Sequence, residues 1–208
     1  MLTCRQSGRV VWLTLDAPHQ KNKLSTALLE QLRDTLDALR RNHERKTELQ
    51  AIVIHSAAST IFAAGADMRE LLRLNSETAV GYAQLGQSVM DALADFPVPS
   101  YALVGGPCFG GGFDLALACQ RIWVAENATF CHPGAFLGLM TGFGGTVRLP
   151  QKIEPHMARH MLLTAYRMKG LEAFRLGLAA RWFGAYQGMI TAFCRRYETR
   201  PPALFETR

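Results

Sequence analysis

The 208-residue sequence lacks the features that would assign it to a membrane, to a disulfide scaffold or to a zinc site. No stretch approaches the roughly 18 consecutive apolar residues of a membrane span, and polar residues interrupt positions 1–12, where a signal peptide would have its apolar core. The five cysteines are odd in number, scattered and without a C-x-x-C pair: Cys4, Cys108, Cys119, Cys131 and Cys194. We therefore expect a cytoplasmic protein with reduced, buried thiols, no metal and no membrane contact.

Complete nucleotide-binding motifs are also absent. The glycine-rich run at residues 105–119 matches neither G-x-x-x-x-G-K-[ST] nor G-x-G-x-x-G followed by a ribose-binding acid. The net charge of +6 would suit either nucleic acid or a small acidic ligand. The basic residues at 40–46 fall at a predicted helix end, however, and no aromatic-rich basic stripe accompanies them. We predict that nucleic acid is not a partner.

The composition is that of one globular domain, with 49% hydrophobic and 19% charged residues. Short apolar runs that predict strands alternate with segments of helical periodicity. Ser25 is suited to cap a helix with a leucine stripe, and Ser76 to cap a helix over residues 77–96, which ends before a proline pair. Another helix is predicted over residues 185–198. Alternating strands and helices predict an α/β fold; the strands are placed at residues 10–15, 51–54 and 101–104.

The glycine-dense turn after residue 104 carries the strongest functional signal. Glycine permits positive φ and close approach of a ligand to the backbone, and the N–H groups that open the following helix are unpaired donors. Because the phosphate-binding partner residues are missing, we interpret the turn as a site for an oxyanion formed during a reaction.

Five segments share a pattern that appears in a fixed order along the chain. They are Pro18-x-x-Lys21-Asn22-x-Leu24-Ser25, the run Phe62-Ala63-Ala64-Gly65-Ala66-Asp67, the glycine turn Gly110-Gly111-Gly112, the block from Ala125 through Pro133 to Arg148, and Leu162 to Leu178. Together they resemble the crotonase (enoyl-CoA hydratase/isomerase) superfamily over roughly residues 8–183. The resemblance implies a spiral of ββα turns around two sheets, with a crotonase-like core at 1–183, a shortened C-terminal helical segment at 184–208, and a trimer or hexamer.

The resemblance also implies an activity and a set of site residues. Crotonase-like enzymes process acyl-CoA thioesters as lyases or isomerases, for example in fatty acid metabolism, and hold the thioester carbonyl between two backbone N–H groups. The matching positions are Ala66 and Gly111. Coenzyme A arrives as part of the substrate, so no separate cofactor is implied. The positions that match substrate or CoA contacts are Lys21, Lys23, Ala64, Asp67, Gly110 and Gly134, although the two lysines could equally be solvated loop residues.

The acid–base positions depart from the family pattern. Hydratases of this family carry two glutamates, and the matching residues here are Asp114 and Gly134. Asp114 could serve as the remaining acid or base, or could only stabilise a helix N-terminus. His132 is a candidate substitute because its ordinary pKa suits proton transfer near neutrality. Gly134 also resembles the dihydroxynaphthoyl-CoA synthases, where a glycine leaves room for bicarbonate, and Thr141 replaces the usual proline.

Three hypotheses follow from these residues. The first is an enoyl-CoA hydratase/isomerase-like enzyme that stabilises a thioester enolate and uses Asp114. The second is another crotonase-type reaction, namely isomerisation, thioester hydrolysis or decarboxylation, for which one carboxylate suffices. The third is an acyl-CoA-binding subunit with weak or no catalysis. Loss of both glutamates favours the second and third hypotheses over a fast hydratase.

Overall fold

The fold is described from a computed structural model for residues 1–46 and 48–202. Its helices are α1 (Thr26–Lys46), α2 (Met68–Leu71), α3 (Ser76–Ala94), α4 (Gly111–Ala118), α5 (Gly145–Lys152), α6 (Pro155–Thr164), α7 (Gly170–Arg175) and α8 (Tyr186–Tyr197). Its strands are β1 (Leu2–Ser7), β2 (Val10–Leu15), β3 (Ala51–Ser56), β4 (Ser100–Val104), β5 (Pro107–Phe109), β6 (Arg121–Ala125), β7 (Thr129–Cys131), β8 (Met168–Lys169) and β9 (Arg181–Phe183). The predicted α/β class is confirmed.

The larger sheet has the strand order β1-β2-β3-β4-β6-β9. Only the pairing of β1 with β2 is antiparallel, and the remaining pairs in this sheet are parallel. Strands β2, β3 and β4 are buried along their whole length, as expected of parallel strands that are covered on both faces. Strand β1 was not predicted from the sequence because most of its side chains are at least partly exposed, which removes the apolar pattern.

The smaller sheet has the order β5-β7-β8 and lies next to the turns that carry the candidate site. The chain passes from β4 through β5 into α4, and from β6 into β7, so that a strand of each sheet precedes the next loop or helix. An isolated bridge from Ala63 to Cys108 joins a neighbouring loop to this sheet, and a second bridge, from Leu24 to Ala66, joins that loop to the one before α1. These connections form the ββα turns that the resemblance implied.

The two faces of the larger sheet are covered by different helices. Val11, Leu13 and their neighbours on one face pack in a core with α1, α3 and α4. Trp12, Tyr101 and Trp123 on the opposite face pack with Phe193 of α8 in an aromatic cluster with ring centroids 5.2–5.7 Å apart. The helix predicted at 185–198 is therefore present and packs on the same sheet. The boundary between segments 1–183 and 184–208 stays a prediction, and residues 203–208 lie outside the described part.

Two local predictions need correction. Helix α3 is capped by Asn75 rather than by Ser76, because the Asn75 carboxamide accepts hydrogen bonds from the N–H groups of Glu77 and Thr78 and forms a capping box. Cys4 is exposed rather than buried, since it lies on the partly exposed strand β1, and Cys194 is only partly buried. Ser25 does cap α1, where its hydroxyl accepts a hydrogen bond from the Leu28 N–H at 3.3 Å.

Candidate active site

Two loops with free backbone donors meet at the edge of the smaller sheet. The Phe109 N–H donates to the Ala63 carbonyl at 2.9 Å and so joins the two loops. A Cβ on Gly65 would lie 2.9 Å from the Phe109 carbonyl oxygen, and φ is +97° there, so only glycine permits this approach. Within the described residues, the N–H groups of Ala66 and Gly111 donate no hydrogen bond to the protein. Both residues line the same cavity.

The loop of residues 21–26 forms hydrogen bonds with the segment that contains the Ala66 N–H group. The Leu24 N–H donates to the Gly65 carbonyl at 2.8 Å, and the Ala64 N–H donates to the Lys21 carbonyl at 2.9 Å. The Lys23 ammonium forms an ion pair with Asp67 at 2.7 Å, which lowers the pKa of that carboxyl. The structure therefore joins Lys23 and Asp67 to each other, while the Lys21 side chain is exposed.

The cavity has a volume of about 550 Å³. Its polar end contains Asp114 and His132. The remainder of the lining is largely apolar and is contributed by α2, the turn that follows it, α3 and the segment before α5: Met68, Leu71, Leu74, Ala79, Leu137, Leu139 and Met140. Ala64, Gly110 and Gly134 also line it. The predicted site residues are thus brought to one cavity, except for Lys21, Lys23 and Asp67, which do not line it.

Asp114 is fully buried in the first turn of α4. Its Oδ2 accepts a hydrogen bond from the Thr141 hydroxyl, whereas its Oδ1 has no hydrogen-bond partner among the described residues. Burial raises the pKa of Asp114 from 3.8 to about 7, although the Thr141 hydrogen bond, the Arg148 charge and the Phe143 backbone amide lower it. A carboxyl with this pKa can both take up and release a proton near neutral pH.

His132 lies beside Asp114, with Nε2 3.4 Å from Asp114 Oδ1. Its ring stacks on Phe113 with centroids 4.9 Å apart, and neither ring nitrogen has a hydrogen-bond partner in the described structure. Burial lowers the pKa of His132 to about 4, so the ring is neutral at pH 7. Two candidates that are 18 residues apart in sequence therefore meet at the polar end of the cavity.

The sequence analysis missed the polar function of Thr141 and the crowding at Gly145. Thr141 was noted only as a replacement for proline, yet its hydroxyl contacts Asp114. A Cβ on Gly145 would collide with Asp114 Oδ1 and lie 3.0 Å from His132 Nε2. Neither contact follows from a local pattern, because each joins residues more than ten positions apart.

The backbone around Gly134 is tightly closed. The Leu139 N–H donates to the Gly134 carbonyl at 2.9 Å, and a Cβ on Gly134 would lie 2.7 Å from the Leu139 carbonyl oxygen. A side chain at 134 would therefore require the loop to shift. The Leu139 backbone also takes part of the room that an absent side chain would otherwise leave for bicarbonate.

The family model for enoyl-CoA hydratase/isomerase matches residues 5–194. The chain belongs to this family. The fatty acid oxidation complex subunit alpha of Vibrio cholerae is 37% identical over 171 residues, which are 80% of this chain and 24% of that protein. The crotonyl-CoA hydratase of Syntrophomonas wolfei is 36% identical over 166 residues, 80% of this chain and 62% of that one. The chain thus spans about a quarter of the length of the first relative and about three fifths of the length of the second.

Solved structures of the family have the same fold. The enoyl-CoA hydratase of Bacillus anthracis superposes with a TM-score of 0.85 at 26% identity and covers 95% of this chain and 76% of its own. This agreement confirms the crotonase-like fold that the sequence predicted. In this family member, the described helices include none that is long and apolar enough to cross a membrane, and residues 1–46 and 48–202 contain no cluster of three or more metal-binding side chains.

Proposed function

We propose that this family member transfers a proton between carbon atoms of an acyl-CoA thioester, as in the isomerisation of a 3-enoyl to a 2-enoyl thioester. The observation that carries the proposal is the single buried carboxyl of Asp114, with one oxygen unpartnered in a cavity that two free backbone N–H groups also line. One carboxyl group suffices for this reaction because the same group can take the proton and return it.

The chemistry requires a base and an anion site. Asp114 removes a proton from C2 of the thioester, and the electron pair of that C–H bond moves towards the carbonyl oxygen. The N–H groups of Ala66 and Gly111 donate hydrogen bonds to the resulting enolate, and each such donor is worth about 3–4 kcal/mol in acyl-transfer enzymes. Asp114 then returns the proton to C4, which moves the double bond into conjugation with the thioester.

The composition of the cavity favours an uncharged aliphatic acyl group. No lysine or arginine belongs to the described lining, and its ionisable side chains are Asp114, His132 and Tyr82. A carboxylate on the acyl chain would be buried without a positive partner and close to Asp114, at a cost of several kcal/mol. We therefore propose linear or branched hydrocarbon acyl-CoA thioesters as substrates, and we expect thioesters of dicarboxylic acids to bind poorly.

Hydration is the second candidate because of one observation. His132 lies 3.4 Å from Asp114 Oδ1 in the same cavity and is neutral near pH 7, so it could handle a water in place of the missing glutamate. The fixed backbone at Gly134 and the shorter side chain at 114 argue that such hydration is slow. Loss of one acid–base group typically costs about 100- to 10,000-fold.

A panel of acyl-CoA thioesters tests the proposal. Calorimetry measures binding, and absorbance measures isomerisation of 3-enoyl-CoA and hydration of crotonyl-CoA. We expect binding of hydrocarbon thioesters and faster isomerisation than hydration. Absence of binding by folded protein would reject acyl-CoA chemistry altogether, binding without turnover would identify the acyl-CoA-binding subunit, and fast hydration would assign the second catalytic function to His132.

The remaining expectations of the sequence analysis stay predictions. They are a cytoplasmic location, assembly into a trimer or hexamer, the absence of a cofactor other than substrate-borne coenzyme A, and the absence of nucleic-acid partners. The solution mass of the protein measures the assembly directly.

A further inference from the structure

Two hydrogen bonds from different helices fix the loop at residues 141–144, which lines the cavity and precedes α5. The Gln87 carboxamide of α3 donates to the Gly142 carbonyl at 2.8 Å. The Arg148 guanidinium of α5 donates to the Phe143 carbonyl at 2.9 Å. Two successive carbonyls are therefore fixed by different helices. The residue that precedes them, Thr141, is consequently placed by the packing of α3 and α5 and not only by its own contact.

The two oxygens of Asp114 have different surroundings. Oδ2 accepts the hydrogen bond from the Thr141 hydroxyl. Oδ1 is buried, has no hydrogen-bond partner among the described residues and lies 3.4 Å from His132 Nε2. The Gly145 backbone can pack beside Oδ1 only because this residue has no side chain, since a Cβ there would collide with this oxygen. One oxygen of a carboxyl that lines the cavity thus accepts a hydrogen bond, and the other accepts none.

We propose that Thr141 is a positioning residue that occupies Asp114 Oδ2 and reserves Oδ1 for proton exchange with the substrate. The inference rests on the proposed function of Asp114. A hydroxyl can donate to Oδ2 whether the carboxyl is charged or neutral. When the substrate C–H bond breaks, the proton forms its new O–H bond at Oδ1, and the electron pair remains on the enolate. The same O–H bond breaks when the proton is returned to carbon.

The charged and titratable groups that act on Asp114 come from three elements: His132 at the end of β7, Cys108 on β5 and Arg148 on α5. Tyr82 of α3 lines the same cavity. Arg148 is itself paired with Asp91. Of the side chains in the described structure, Thr141 is the one that donates a hydrogen bond to the Asp114 carboxyl. Removal of the Thr141 hydroxyl should therefore change the pKa of Asp114 more than a substitution that alters only the packing around it.

The test compares Thr141→Val, which keeps the shape, with Thr141→Ser, which keeps the hydroxyl. The infrared carbonyl band of the protonated Asp114 carboxyl, assigned by its absence in Asp114→Asn, is titrated with pH. Hydrogen bonds to charged groups imply that Thr141→Val raises the midpoint by about one to two pH units. Thr141→Ser should titrate like the wild type. An unchanged midpoint in Thr141→Val, or an equal displacement in both variants, would overturn the proposal.

A second readout separates this proposal from the proposed function. In the pH profile of 3-enoyl-CoA isomerisation, the ascending limb of Thr141→Val should move to higher pH together with the infrared midpoint. Activity at pH 7 should then fall by about tenfold and recover at higher pH. If the wild-type protein shows no isomerisation, the proposed function fails while the infrared titration still decides the effect on Asp114. If the wild-type protein isomerises the thioester and Thr141→Val has the same ascending limb in its pH profile, only the positioning role of Thr141 is rejected.

Discussion

Replacing Asp114 with asparagine is expected to stabilise the protein, and to do so more strongly as the pH rises. The wild-type carboxyl is fully buried, and its pKa is raised from 3.8 to about 7. Between these two values the folded chain binds a proton that the unfolded chain has lost, so the free energy of unfolding falls as the pH increases. Asparagine does not titrate, and its carbonyl oxygen can still accept the Thr141 hydrogen bond.

The size of the effect follows from the shift in pKa. Each pKa unit corresponds to about 1.4 kcal/mol, so a rise from 3.8 to about 7 destabilises the wild type by about 4 kcal/mol at pH 8 relative to pH 4. The variant minus wild-type difference in unfolding free energy should grow by this amount between those pH values. His132 has a lowered pKa and acts in the opposite direction below about pH 6.5, but it titrates in both proteins and largely cancels from the difference.

Urea unfolding at a fixed protein concentration and at several pH values between 4 and 8.5 measures this difference. Asp37→Asn, at an exposed position of α1, is the matched control and should give a difference of less than about 0.5 kcal/mol that changes little with pH. If Asp114 only stabilises the α4 N-terminus as a carboxylate, the variant would instead lose about 0.3–1 kcal/mol above pH 4. A flat difference or one of that sign would refute the burial argument.

Two glycine substitutions test the crowding of the site. Gly134→Glu should destabilise the protein by about 1–3 kcal/mol because its Cβ meets the Leu139 carbonyl, and it should not produce fast hydration. Urea unfolding measures the stability, and a crotonyl-CoA assay measures the hydration. A variant that is stable and hydrates crotonyl-CoA fast would contradict the described backbone. Gly145→Ala should lower isomerisation at least about 100-fold by displacing Asp114 Oδ1. Gly81, where a Cβ meets no atom within 4 Å, is the control site for both substitutions, and equal behaviour of Gly81→Ala and Gly145→Ala would remove the steric argument.

The sequence predicted those elements whose pattern is local. Strand β2 at Val10–Leu15 is a continuous apolar run, and α8 presents Met189, Ile190 and Phe193 at helical spacing, so both were placed within about one residue. Strand β1 could not be found because its side chains are mostly exposed and its pairing with β2 provides the stabilisation. The periodicity of apolar residues indicates which side chains are buried. It does not identify strands that depend on backbone pairing.

The candidate site was predicted in its composition but not in its connections. Family resemblance placed Ala66, Gly111 and Asp114, and the ordinary pKa of histidine suggested His132. The structure brings all four to one cavity. The engagement of Asp114 by Thr141 could not be predicted, because the two residues are separated by 27 positions and by a glycine-rich loop. A contact of this kind depends on how two elements pack, and a single sequence contains no local signal for it.

The central claim is that Asp114 is the group that moves the proton, and isotope exchange tests it most directly. Wild-type protein and Asp114→Asn are incubated with 3-enoyl-CoA in D₂O, and NMR follows loss of the C2 protons together with formation of the 2-enoyl thioester. Calorimetry of the same samples measures thioester affinity. The account predicts exchange in the wild type, a loss of at least about 100-fold in the variant, and nearly equal affinities. Exchange at an undiminished rate in Asp114→Asn would contradict it.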